Sequence, residues 1–218
     1  GAGENEDGPF DVEDRAALVR IESAEVDIGE VALVRPRTSR RKASLCGSTD
    51  SCGLVDTLSA VPELLQVEVG LLSNLCTFVA DGGGVGDASS ERGAEAAIVD
   101  PAFEGDRLLR IAAERRWRIT TILVTHSHDD HVAAVDEIAA ATGAVIRCHP
   151  IELERVRALV GGRGEQVVPV ADGEVLRIGD VAVEAIYAPG HSPGCVCWSV
   201  PASPAVITGD VLYVGSCG

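Results

Sequence analysis

Apolar and polar positions along this chain change rhythm near residue 63. Residues 1–62 carry no sustained period. Within them, residues 15–34 fit one or two strands or a short helix, and a basic knot from Arg35 to Lys42 leads into a Ser/Gly/Cys stretch ending at Gly53. This part reads as an acidic N-terminal extension or the remnant of another domain. From residue 63 onward the pattern becomes regular. Leu64–Val69 and Leu75–Ala80 are short apolar or alternating runs separated by Gly70 and Ser73-Asn74, which predicts a β-hairpin or meander. Asp81–Gly86 is glycine-rich but lacks the Lys and Ser/Thr of a phosphate-binding loop, so it reads as a turn. Ala96–Val99 predicts a buried strand ending in Asp100-Pro101. Residues 104–116 have helical spacing, with Leu108, Ile111 and Ala112 on one side. Thr120–Val124 is an apolar, β-branched strand, and Val132–Thr142 a helix stopped by Gly143. Ala144–Cys148 predicts another strand, and Pro150 can open a helix carrying Leu153, Val156 and Leu159, broken at Gly161–Gly164. Val175–Ile178 and Val181–Tyr187 flank the turn pair Gly179-Asp180. Cys195–Val200 and Ala205–Thr208 close the series. Strands with intervening helices, then a run of strands, predict an α/β layered domain over residues 63–218.

Composition narrows the class. At 46% hydrophobic residues the 218-residue chain can bury a substantial core. No apolar run has the length of a membrane span, and the acidic start does not resemble a signal peptide. A soluble, cytoplasmic protein without membrane contact is expected. The net charge of −16 argues against a nucleic-acid partner, since phosphate contacts require clustered Lys and Arg. Ten acids against two arginines in residues 1–30 supply half of that charge and suit a solvated surface. The chain has no methionine, so it is expected to be processed or a fragment. Seven cysteines, an odd number in a chain of this size, favour reduced thiols over a disulfide framework. Neither Cys46/Cys52 nor Cys195/Cys197 has the usual zinc spacing.

The chemistry is concentrated in few residues. Three of the five histidines fall in Thr125-His126-Ser127-His128-Asp129-Asp130-His131, directly after a predicted strand and before a predicted helix. Ligands of open α/β sheets bind beyond the carboxyl ends of strands. In an extended segment His126 and His128 share a face, and Asp130 and His131 can address a neighbouring position. Asp129 suits a helix cap. Two further strand ends carry His191, in the Pro/Gly loop Ala188–Gly194, and Asp210, after Val206-Ile207-Thr208-Gly209. Imidazole and carboxylate from three strand ends form a set that zinc and iron(II) accept. His149 reads as structural.

The order His-x-His-x-Asp-His, Gly-His in a Pro/Gly loop, then Thr-Gly-Asp resembles the metallo-β-lactamase superfamily over about residues 64–218. Asn74 and Val99-Asp100-Pro101 match the family's early landmarks. The resemblance implies a metallo-β-lactamase-like αββα sandwich. It also implies one metal on His126, His128 and His191, a second on Asp130 and His131, and Asp210 bridging both. The ending Gly209–Gly218 is similar to the glyoxalase II-like (hydroxyacylglutathione hydrolase-like) branch. The implied function is metal-dependent hydrolysis of a glutathione-type thioester by a hydroxide activated on two zinc ions. Asp130 and Asp210 are then the catalytic residues, and a small-molecule thioester or glutathione derivative is the partner. Aspartate at 210, where classical zinc β-lactamases have cysteine, argues against antibiotic hydrolysis. A further histidine that the family takes from downstream of Asp210 does not occur in this sequence, so the domain is expected to be C-terminally incomplete and its second zinc site likewise. One alternative is a mononuclear iron(II) persulfide dioxygenase using His126, His191 and Asp210. Another is a metal-binding fragment without activity.

Overall fold

The computed structural model describes residues 61–82 and 93–218. The expectations for residues 15–34, the basic knot, Cys46 and Cys52, and most of the glycine-rich turn lie outside these residues. Two sheets form the body. In the first, β1 (Glu63–Val69), β2 (Asn74–Ala80) and β3 (Ala94–Val99) run antiparallel. β4 (Trp117–Leu123), β5 (Val145–Cys148) and β6 (Val167–Pro169) then continue in parallel from β3. The second sheet is antiparallel, in the order β10 (Ala205–Ile207), β9 (Val196–Val200), β8 (Val181–Tyr187), β7 (Val175–Ile178).

Adjacent residues of the central strands serve different layers. Phe78, Ile98 and Ile122 belong to a core shared with helices α1 (Gly105–Glu114), α3 (Val135–Thr142) and α4 (Leu153–Leu159). Their neighbours Val79, Ala97, Val99 and Leu123 belong to a second core with Ile178, Val183, Trp198 and Ile207 of the other sheet. Strand side chains alternate between faces, and both faces here are covered. These strands therefore read as nearly continuous apolar runs. Helices on one face of the first sheet and the second sheet on its other face give the layered α/β sandwich expected from the sequence. The carboxyl ends of β3 and β4 open on the same edge, as parallel neighbours must.

Three local differences have physical causes. The helix expected over Val132–Thr142 is two, α2 (Asp129–Val132) and α3. The break falls at Ala134, whose N–H bonds Pro101 O at 3.0 Å instead of continuing the helical ladder. Asp129 does not cap α2; its carboxylate pairs with Arg155 at 2.7 Å. β6 has no sequence signal because Val167-Val168-Pro169 is short and carries a proline, which only an edge strand tolerates. The hairpin β11 (Leu212–Tyr213) and β12 (Ser216–Cys217) is too short to show a period.

Candidate metal centre

Every residue singled out from the sequence as a ligand lies on one edge of the sandwich. His126 and His128 follow β4, His131 lies in α2, His191 sits between β8 and β9, and Asp210 follows β10. His128 Nδ1 lies 3.0 Å from His126 Nε2 and 2.9 Å from His191 Nε2. The His126 and His191 ring centroids are 4.8 Å apart. One ring nitrogen from each of the three histidines thus lies within 4.8 Å of the others, the kind of donor group that holds a divalent cation.

Beside them is a second group. His131 Nε2 lies 3.2 Å from Asp210 Oδ1 and 3.9 Å from Asp130 Oδ2. The other oxygen of Asp210, Oδ2, lies 3.5 Å from His191 Nε2. One carboxylate therefore touches both groups, one oxygen to each. Asn74 Nδ2 donates to Asp130 Oδ2 at 3.2 Å and fixes its orientation.

Asp100, buried at the end of β3, organises the inner wall. Its Oδ1 accepts from the Thr125 N–H at 2.7 Å, and its Oδ2 accepts from the Thr125 hydroxyl and from His131 Nδ1, the latter at 3.0 Å. Asp100 adopts φ 47, a left-handed conformation that costs a non-glycine residue about 1–3 kcal/mol. With its proton given to Asp100, Thr125 Oγ1 accepts from His126 Nδ1, 3.0 Å away. That chain places the proton of His126 on Nδ1 and leaves the Nε2 lone pair facing the site, the outer-partner arrangement usual for histidine ligands. In the sequence Asp100 stood out only as a family landmark; its contact with His131, 31 positions away, had no local signal.

The electrostatics follow from this wall. Burial pushes His126 down to about 4, so its ring is neutral at neutral pH. Burial would also lower His131, but its hydrogen bonds to Asp100 and Asp210 prevail and push it up to about 11. Burial would raise Asp210, yet its bond to His131 holds it well below the usual carboxylate range. A proton on His131 Nε2 therefore stands where this acidic pocket attracts positive charge, and a cation bound by His131 must displace it. Below about pH 11 that proton competes, so affinity at this position should rise with pH by about tenfold per unit, with about one proton released per ion. Calorimetry in buffers of different ionisation heat would read the release; its absence would refute this account.

Gly209 lets Asp210 reach the site. It has φ 50, and a Cβ there would lie 2.4 Å from Thr125 Oγ1. Gly209→Ala should destabilise the fold by about 1–3 kcal/mol through strain in this region, read as a lowered urea midpoint. An unchanged midpoint would show that the loop relaxes freely. His149 stacks on Tyr187, with ring centroids 4.3 Å apart.

The metallo-β-lactamase superfamily pattern matches residues 90–218. The chain is 35% identical over 121 residues to a hydroxyacylglutathione hydrolase of Rhodobacter capsulatus, covering 56% of this chain and 44% of that protein. It is 35% identical over 133 residues to the probable metallo-hydrolase YqgX of Bacillus subtilis, covering 56% and 63%. The chain thus spans about half the length of the curated relatives it matches. Among solved structures, TTHA1623 in a di-iron-bound form is similar with TM-score 0.55 and 26% identity, covering 71% of this chain and 75% of that one. ETHE1 from Myxococcus xanthus, with TM-score 0.55 and 23% identity over 72% and 60%, shares the fold.

Proposed function

This chain belongs to the metallo-β-lactamase superfamily, and on that footing we propose that it is a glyoxalase II-like thioester hydrolase. The observation that carries this reading is Asp210, whose two oxygens face His131 and His191 separately. Such a carboxylate suits two adjacent cations. His126, His128 and His191 would hold one, Asp130 and His131 the other, with Asp210 between them. Zinc fits these donors, and so does iron(II).

A divalent cation here would supply Lewis acidity toward a carbonyl oxygen and bring the pKa of water from 15.7 to about 7. The protein's own residues do the rest. Asp130, anchored by Asn74 and with its side chain 36% exposed, would accept a hydrogen bond from an attacking water and help aim it at the substrate. Asp100 and Thr125 keep His126 and His131 turned toward the site. A thiolate leaving group, with a thiol pKa of about 8.5, departs without a strong general acid. That suits a centre whose histidines and carboxylates face one another as ligand groups.

The substrate class in this proposal is a small thioester of the glutathione type, and the Rhodobacter capsulatus relative supports it by name. A nucleic-acid partner is disfavoured by the net charge of −16. A cytoplasmic location is supported by the free thiols of all five cysteines among the described residues. No helix among them is long and apolar enough to cross a membrane. The test is joint: metal content and thiol release from a glutathione thioester by the metal-loaded protein. Two ions per chain with turnover support the hydrolase. One observation favours a second reading: His126, His191 and Asp210 form a two-histidine, one-carboxylate set of the kind used by iron(II) oxygenases. One iron per chain, with oxygen uptake on a glutathione persulfide, would replace the first reading with that one.

A further inference from the structure

Ser127 and Ser192 each follow a site histidine, and both hydroxyls point at one carboxylate. Ser127 Oγ donates to Glu152 Oε2, and Ser192 Oγ donates to Glu152 Oε1 at 2.9 Å. The Ser127 backbone N–H bonds Glu152 as well. Glu152 is 8% exposed. A buried carboxylate is costly unless it is well hydrogen-bonded. Burial alone would raise its pKa, but the two serines hold it below the usual carboxylate range, so it is charged at neutral pH.

The placement of the three residues is informative. Ser127 follows β4 of the six-stranded sheet, whereas Ser192 lies between β8 and β9 of the four-stranded sheet. Glu152 belongs to neither loop. It precedes α4, its N–H bonded to His149 O at 2.9 Å and its carbonyl accepting from Val156 N at 3.0 Å. The second loop comes so close that a Cβ on Gly194 would lie 2.3 Å from Glu152 Oε1. A hydrogen bond from the Gly194 N–H to Ser192 Oγ, 3.3 Å, holds that approach.

We propose that Glu152 is a positioning residue for the metal centre: it ties the loop bearing His126 and His128 to the loop bearing His191, and so sets the spacing of ligands that come from different sheets. The inference rests on reading these histidines as metal ligands. Partners outside the ligand set matter because they restrict where ligands point before a cation arrives. The tie is separable from the fold. A backbone bond from Val196 N to Thr125 O, 2.9 Å, also joins the two regions, and each sheet keeps its own ladder. Removing the carboxylate should loosen the His191 loop while the sheets persist.

The test is titration of the purified chain with cobalt(II), followed by visible absorption, together with hydrogen exchange. Glu152→Ala should weaken cobalt(II) binding by roughly 10–100-fold, whereas Glu152→Gln, which offers an acceptor to Ser127 and an amide N–H to Ser192, should stay within about threefold of wild type. Exchange should quicken over residues 188–194 in Glu152→Ala and stay unchanged in β3 and β4. Wild-type affinity in Glu152→Ala would overturn the inference. So would exchange rising equally across both sheets, the mark of a merely structural role. Failure of glutamine to restore binding would assign the effect to charge, and overturn the tie. Should the alanine variant not fold, Ser192→Ala, which cuts one side of the tie, must still weaken binding severalfold. Absence of cobalt(II) binding by wild type would instead strike the metal reading itself.

Discussion

Asp210→Ala should abolish turnover, with a loss well beyond the roughly 10–100-fold expected from removing an outer partner of a metal ligand. The side chain faces both ligand groups, Oδ1 toward His131 and Oδ2 toward His191. On the proposed reading its removal would open both cation positions together, and it leaves His131 Nε2 without its nearer carboxylate partner. With that partner gone, the His131 pKa should fall from about 11, because Asp210 is one of the two groups that raise it. The measurements are metal content after dialysis, thiol release from a glutathione thioester, and titration of His131 by nuclear magnetic resonance. The fold should persist, since the Asp210 side chain lies at the rim, 21% exposed, and outside both cores. A variant that retains two ions and wild-type turnover would end the bridging account.

Asp130→Ala should remove most thiol release while leaving the three-histidine group intact. Asp130 lies 3.9 Å from His131 Nε2 and is bonded by Asn74, not by His126, His128 or His191. On the proposed two-cation reading its loss would strike the second cation position, and metal content should fall toward one ion per chain. For a centre working as an iron(II) dioxygenase on His126, His191 and Asp210, Asp130 stands outside the set. Oxygen uptake with a glutathione persulfide would then survive, reduced at most about 10–100-fold as for an outer partner. Thiol release and an oxygen electrode read the two cases on the same preparation. Undiminished thiol release would refute the binuclear hydrolase.

Much of the domain was legible because its strands and helices have opposite periods and its turns carry the residues turns require. The alternation in β8 sits where periodicity placed it, and the apolar run read as Thr120–Val124 forms the later part of β4, which begins earlier, at Trp117. The residues of the candidate site stood out for a different reason. Histidine is scarce in this chain, and three within six positions after a strand have no routine structural use. What escaped was set by contacts distant in sequence. The break between α2 and α3 depends on Pro101 O accepting the Ala134 N–H. Asp129 pairs with Arg155 rather than capping, because α4 brings that guanidinium within reach.

The sequence by itself determined the kinds of donor, their order and the strand ends that carry them, since period and residue chemistry are local properties. Only the tertiary structure decided their pairing. It set Asp100 beneath His131, divided Asp210 between two groups, and put one glutamate under serines from two sheets. The physical reason is range. A hydrogen bond forms within about 3 Å, and residues separated by 31 or 40 positions come that close only when packed layers hold them there.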